Sequence, residues 1–233
     1  MKRILRAAAA LLLAGAMACG VSCGDKESSS SGVRIDGGAN ARKNMTDEEY
    51  HSSYRTNFDL KPEDDENIKI MISFDNRYFG KEGTDYTEIY LIDKYFDALN
   101  NNDISGILSC YYPGYLDSLC GEDTFATPEE FAKTYRDQLA GLFGEDFKFG
   151  FIEISDCTSG GDPETENMFQ NRDDTLKAAF GDAIADKITD RKLVTIGGDS
   201  YVTGGGGWAE VNQMISEGIM FCVYTIDGQP YLF

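Results

Sequence analysis

Histidine is almost missing from this chain: there is one in 233 residues, His51, and it lies in a polar stretch ahead of the first apolar periodicity. The part of the chain that can build a core therefore offers no Ser-His-Asp or Cys-His arrangement and no HExxH helix. Cations are also scarce. Lys and Arg number 21 against 40 Asp and Glu, and beyond the first 23 residues the count is 18 against 40. Nucleic acid and anionic lipid headgroups both demand a basic footprint, so neither is expected as a direct partner. Long apolar runs are lacking as well. The longest, Ala7 to Ala18, holds 12 residues, short of the roughly 18 needed to span a bilayer. The cysteines show no CxxC spacing for zinc. Gly204 to Gly207 lacks the Lys and Ser/Thr of a phosphate loop, and Glu63-Asp64-Asp65-Glu66 lacks the alternating ligands and central glycine of a calcium loop. No metal and no cofactor is expected.

What the chain does have begins with an export signal. Lys2, Arg3 and Arg6 precede the apolar run, which ends in Ala18-Cys19 and then Ser22-Cys23. Small residues just ahead of a cysteine follow the bacterial lipoprotein pattern, in which that cysteine is diacylated after cleavage. Lipid attachment at Cys23 leaves Cys110, Cys120, Cys157 and Cys222, an even set suited to an oxidising compartment. Attachment at Cys19, the alternative, leaves an odd thiol. Two acyl chains suffice for stable anchoring, so the expected location is the outer face of the cytoplasmic membrane. Residues 24–67, rich in Ser, Gly, Asn and charge, read as a disordered tether. Residues 68–233 read as one domain.

Within that domain, Ile68 to Phe74 alternates as a strand, and Asp85 opens the segment that organises the rest. Ile89, Ile92, Phe96 and Leu99 recur at helical spacing and need covering on one face. Asp103 can cap a short second helix. Thr127-Pro128-Glu129-Glu130 is a helix start with its cap, N1 proline and third-position acid, and Gly144 is placed to stop that helix. Lys148 to Cys157 reads as a strand, Thr158 to Pro163 as a loop, and Asp174 to Ile188 as a helix interrupted by Gly181. The strand Lys192 to Ile196 leads into a glycine-rich hairpin loop, and Ile219 to Ile226 and Gln229 to Phe233 flank Asp227-Gly228, a tight-turn dipeptide. Pro230 places the last strand at an edge. Helices first and strands later predict an α+β fold with a curved antiparallel sheet wrapped around the long N-terminal helix.

The line Tyr95-Phe96-Asp97-Ala98-Leu99-Asn100 with Asp103 and Pro113, and the closing Tyr224-Thr225-Ile226-Asp227-Gly228-Gln229-Pro230-Tyr231-Leu232, resemble nuclear transport factor 2-like, cystatin-like cone domains. They are similar in particular to those of small extracytoplasmic lipoproteins of Gram-positive, clostridial-type bacteria. The ending departs from the usual Lys-x-Asp-Gly-Lys-Trp-Tyr hairpin at Thr225, Gln229 and Pro230. The resemblance implies a cone-shaped domain and, for a catalytic member, an acid and a tyrosine in the mouth. Asp93, Asp97, Tyr90 and Tyr112 would fill those roles, against the plainer reading that Asp93 and Asp97, four apart, face solvent. Among the cysteines, Cys110 with Cys120 could staple the turn after the first helices, and Cys157 with Cys222 could join neighbouring strands, while buried free thiols are the alternative. The expectation is a non-catalytic binding domain at the cell envelope, for a protein, wall component or small ligand. A cone-pocket isomerase or dehydratase for a small apolar molecule is the rival.

Overall fold

Ile89, Ile92, Phe96 and Leu99 are withdrawn from water entirely, and their burial positions helix α1, Thr87–Asn100, in this computed structural model. The structure describes residues 57–75, 78–79, 86–121 and 124–233. Cys19, Cys23, the expected export signal, the part of the expected tether up to residue 56 and the Asp85 cap lie outside them. Short α2, Ile104–Leu108, starts as expected, with the Asp103 carboxylate accepting from the Gly106 N–H at 2.9 Å. Then come α3, Tyr115–Leu119, and α4, Pro128–Phe143. At the start of α4 the Thr127 hydroxyl accepts from the Glu130 N–H, and the Glu130 carboxylate reaches back to the Ala126 N–H at 2.7 Å. Gly144, at φ 101°, ends it.

The expected helix from Asp174 to Ile188 needs correcting. Helix α5 runs Pro163–Phe180, begun by Asp162, whose carboxylate accepts from the Glu164 and Thr165 N–H groups. Gly181 terminates it, a 3₁₀ turn spans Asp182–Lys187, and Ile188 already belongs to a strand. Its buried face carries Thr165 and Arg172 beside Phe169 and Leu176. Half of that stripe is polar, which hid its first half from a search for apolar periodicity.

Seven strands form one mixed sheet: β1 Asn57–Leu60, β2 Met71–Asp75, β3 Lys148–Thr158, β4 Ile188–Gly204, β5 Gly207–Glu210, β6 Ile219–Ile226 and β7 Gln229–Leu232. The order is β1-β2-β3-β4-β6-β7, with β5 pairing β4 beyond the end of β6. The sheet is not wholly antiparallel as expected. β2 and β3 are parallel, because the connection between them passes through four helices and returns in the same direction. The ordered body also starts earlier than Ile68. Strand β1 pairs with β2, and Leu60 is buried, so residues 57–67 belong to the fold and not to the tether. The Asp227-Gly228 hairpin forms as read, whereas the strand expected over Lys192 to Ile196 runs on to Gly204, so the glycine-rich loop shrinks to a two-residue turn. Gly205 and Gly206 turn β4 into β5 with φ of 57° and 80°, and Asp227 and Gly228 turn β6 into β7 at 52° and 79°. β7 closes one end of the sheet order, consistent with Pro230.

Neighbouring residues on a strand point to opposite faces, which settles where the helices lie. On β4, the Lys192 ammonium meets both carboxylate oxygens of Glu88 in the first turn of α1, at 2.6 and 2.8 Å. The adjacent Arg191 bonds Asp173 of α5 at 2.7 Å and covers the Phe169 ring. Helices α1 and α5 therefore cover opposite faces. On the α1 side the core is aromatic: Phe96 packs edge-on against Phe149 at 4.7 Å and approaches Phe221 and Tyr95. Asn100, the last residue of α1, uses its amide as a strand would. It donates to the Phe149 carbonyl at 3.0 Å and accepts from the Phe149 N–H at 2.7 Å.

Phe96→Ala should lower the unfolding free energy by about 3–5 kcal/mol, whereas Trp208→Ala, at a side chain 68% exposed, should shift it by less than about 0.5 kcal/mol. Chemical denaturation of the two variants checks the contrast. Lys192→Met should cost about 3 kcal/mol in the same assay, because it leaves Glu88 enclosed without its counter-charge.

Candidate functional site

Of the four residues implied by the resemblance, Asp93 departs furthest from the solvent reading. It sits in the middle of α1, is 1% exposed, and points at the turn ahead of β2. Its Oδ1 accepts from the N–H groups of Lys69 and Ile70 at 3.0 and 2.8 Å, and its Oδ2 accepts from Lys69 at 3.0 Å. Burial pushes its pKa up to about 6, against the pull of those N–H groups, and Asp97 one turn on adds to the rise. Asp93 is thus the peg by which α1 holds the β2 entry, with both oxygens occupied by backbone.

The other three candidates do not join it. Asp97 accepts from the Asn101 side chain at the end of α1. The Tyr90 hydroxyl donates to Asp65 at 2.6 Å, an acid bond that raises its pKa to about 12. Tyr112 stacks edge-on between Phe180 and Tyr231. It lines an opening of about 630 Å³ with Cys120, Leu108 and Pro128, into which none of the other three projects. The structure therefore assembles no acid–tyrosine pair from them.

Cys110, Cys120, Cys157 and Cys222 are free thiols in this structure. Cys110 and Cys120 each donate to a carbonyl one turn back, Gly106 and Leu116. Cys157 and Cys222 are not on neighbouring strands as anticipated. β4 lies between them, Cys157 faces with Val194 and Cys222 with Leu193, and those adjacent residues point to opposite faces. Burial raises the thiol pKa of Cys110 to about 11 and of Cys157 to about 12, so neither is a ready nucleophile.

Two features stand out that the sequence did not show. One is the pair of charged clusters on β4. Burial works against the Lys192 ammonium, yet Asp190 and Glu88 hold its pKa above the ordinary lysine value. On the other face Arg172 of α5 is buried and donates to the Tyr115 hydroxyl at 3.1 Å, close to Cys222. The second is a cleft of about 850 Å³ on the α5 side of the sheet, between the first turns of α5 and the strands. Leu193, Thr195 and Met220 project from β4 and β6 into its floor, and Met168 of α5 forms a wall, all half-buried. Asp156, Asp162, Glu164 and Glu217 stand around it, and among the described residues no lysine or arginine lines it. These acids come from three places, the end of β3, the start of α5 and the turn before β6, so no single spacing in the chain announces them. Among the described residues, no group of histidine, cysteine or acid side chains is arranged to hold a metal ion, and no helix is long and apolar enough to cross a membrane.

Compared with protein-family models, curated proteins and solved structures, the chain matches none.

The Asp93 carboxyl gains protons more readily in the folded chain than in the unfolded one, so its contribution falls as pH rises. Stability should decline between about pH 4 and about pH 6 through this group, and Asp93→Asn should flatten that part of a stability–pH curve. Asp93→Ala should cost about 2–4 kcal/mol near pH 4, by leaving the Lys69 and Ile70 N–H groups without their acceptor, and less above pH 6.

Proposed function

We propose that this protein is a lipid-anchored, extracytoplasmic binding protein of the cell envelope, tethered through a diacylglyceryl group on Cys23. Its α+β domain holds a protein, a wall component or a small ligand without transforming it. The observation that carries the non-catalytic reading is that the α1 side of the sheet, where a cone domain would keep its reactive pocket, is filled by the chain's own rings. Phe96, Phe149, Phe221 and Tyr95 close on one another there. Among the described residues, the one buried acid with a raised pKa, Asp93, is engaged by backbone N–H groups on both oxygens. An isomerase or dehydratase needs such an acid within reach of substrate. Curvature of the sheet about α1 in the manner of a cone domain belongs to the same proposal. Its support is the set of register shifts along β3 and at the start of β4, since bulges bend the strands that carry them.

The anchoring half rests on the sequence: a charged start, a 12-residue apolar run and a small-residue approach to cysteine. Its test is metabolic labelling with a lipid probe in the wild type, Cys19→Ala and Cys23→Ala. Label should persist in Cys19→Ala and vanish in Cys23→Ala. The reverse pattern moves the anchor to Cys19, and an unlabelled wild type overturns anchoring altogether.

A further inference from the structure

We propose that the cleft beside α5 takes a primary alkylammonium group, the end of a lysine side chain or of a polyamine. Its methylene stem would lie over Leu193, Met168 and Met220, and its charge would sit among Asp156, Glu164 and Glu217. The proposal rests on the reading of the domain as a binding module and supplies the class of ligand.

Two properties of the cleft point the same way. Its floor is recessed and half apolar, with Leu193 and Met220 in register beside Thr158 and Thr195 on adjacent strands and Met168 at the wall. A recess of about 850 Å³ is within the ordinary range for small-ligand sites. Among the described residues its charge is one-sided. Four acids nearby are answered within the fold, Glu88 and Asp190 by Lys192, and Asp173 and Glu166 by Arg191. Asp156, Glu164 and Glu217 form no ion pair with any described residue. Asp162 caps α5 and is held below the usual carboxylate range by the Thr165 N–H, so it stays charged as well. An anionic ligand would be repelled by the carboxylates. A cation carried on an aliphatic stem satisfies both the rim and the floor. Three carboxylates on separate segments suit the three freely rotating donors of an ammonium better than the rigid fork of a guanidinium.

Methyl NMR of the full chain in detergent, with labelled methionine, reads Met168 and Met220 directly. Spermidine and a tri-lysine peptide should each shift both methyls in a saturable way, and the fully acetylated tri-lysine should not. The double substitution Asp156→Asn with Glu217→Gln should weaken binding about tenfold, with Glu145→Gln as an unaffected control and thermal melting to verify the fold. Raising salt from about 0.05 to about 0.5 M should weaken it too. Binding of spermidine alone or of the peptide alone identifies the source of the ammonium and supports the proposal. Equal binding of the acetylated peptide sinks the cation requirement and leaves the binding module standing. Shifts that do not saturate, or that survive the double substitution, reduce the effect to general attraction to an acidic surface and overturn the site. Silence of both methyls with every probe removes the proposal and its support for a binding module together.

Discussion

Arg191 and Lys192 are neighbours on β4, and the pleat sends their charges to opposite sides of the sheet. Each is claimed by acids on a different helix, Glu88 of α1 for one and Asp173 of α5 for the other. A slip of β4 by a single residue would exchange the two cations and leave both sets of acids facing the wrong partner. The register of the longest strand is thereby tied to the seating of both helices. Apolar burial drives the association. The paired charges forbid the alternatives, which is the better-attested use of enclosed ion pairs.

Much of this body could be read from the chain because local chemistry and final structure agree there. The α1 stripe is buried at every position chosen from its spacing, and Asp103, Thr127, Gly144 and Asp227-Gly228 do what their side chains and backbone freedom favour. The reading failed where the deciding contact was distant. Helix α5 hides a polar stripe because Arg172 finds the Tyr115 hydroxyl, 57 residues away, and Thr165 is enclosed by packing. β1 looked too polar to fold by itself, and it does not fold by itself: it borrows the edge of β2. The parallel pairing of β2 with β3 depends on four intervening helices and leaves no mark in either strand.

The site was less legible than the fold for the same reason. Asp93 and Asp97 are equivalent in a helical projection as acids four apart, yet one is a buried peg for β2 and the other tops the helix end. What separates them is the turn at Lys69-Ile70, which approaches only one. The cleft beside α5 is made from a strand end, a helix start, a mid-helix methionine and a turn. Its character is a sum over segments that carry no mutual signal. A chain so poor in cations leaves some carboxylates unanswered, and folding decides which of them gather around a half-apolar floor.

The side chain of Asn100 has a consequence beyond the helix it ends. A strand with unmatched N–H and C=O groups is a template on which another copy of the chain can grow. At Phe149 both groups are already claimed by that amide. On the far side, the Leu232 N–H at the outer strand β7 is taken by the Cys110 carbonyl at 2.8 Å. Single residues thus act as stoppers, one on the part of β3 that β2 does not reach and one on the outer strand β7. At those two places a second copy of the chain would find the backbone already paired.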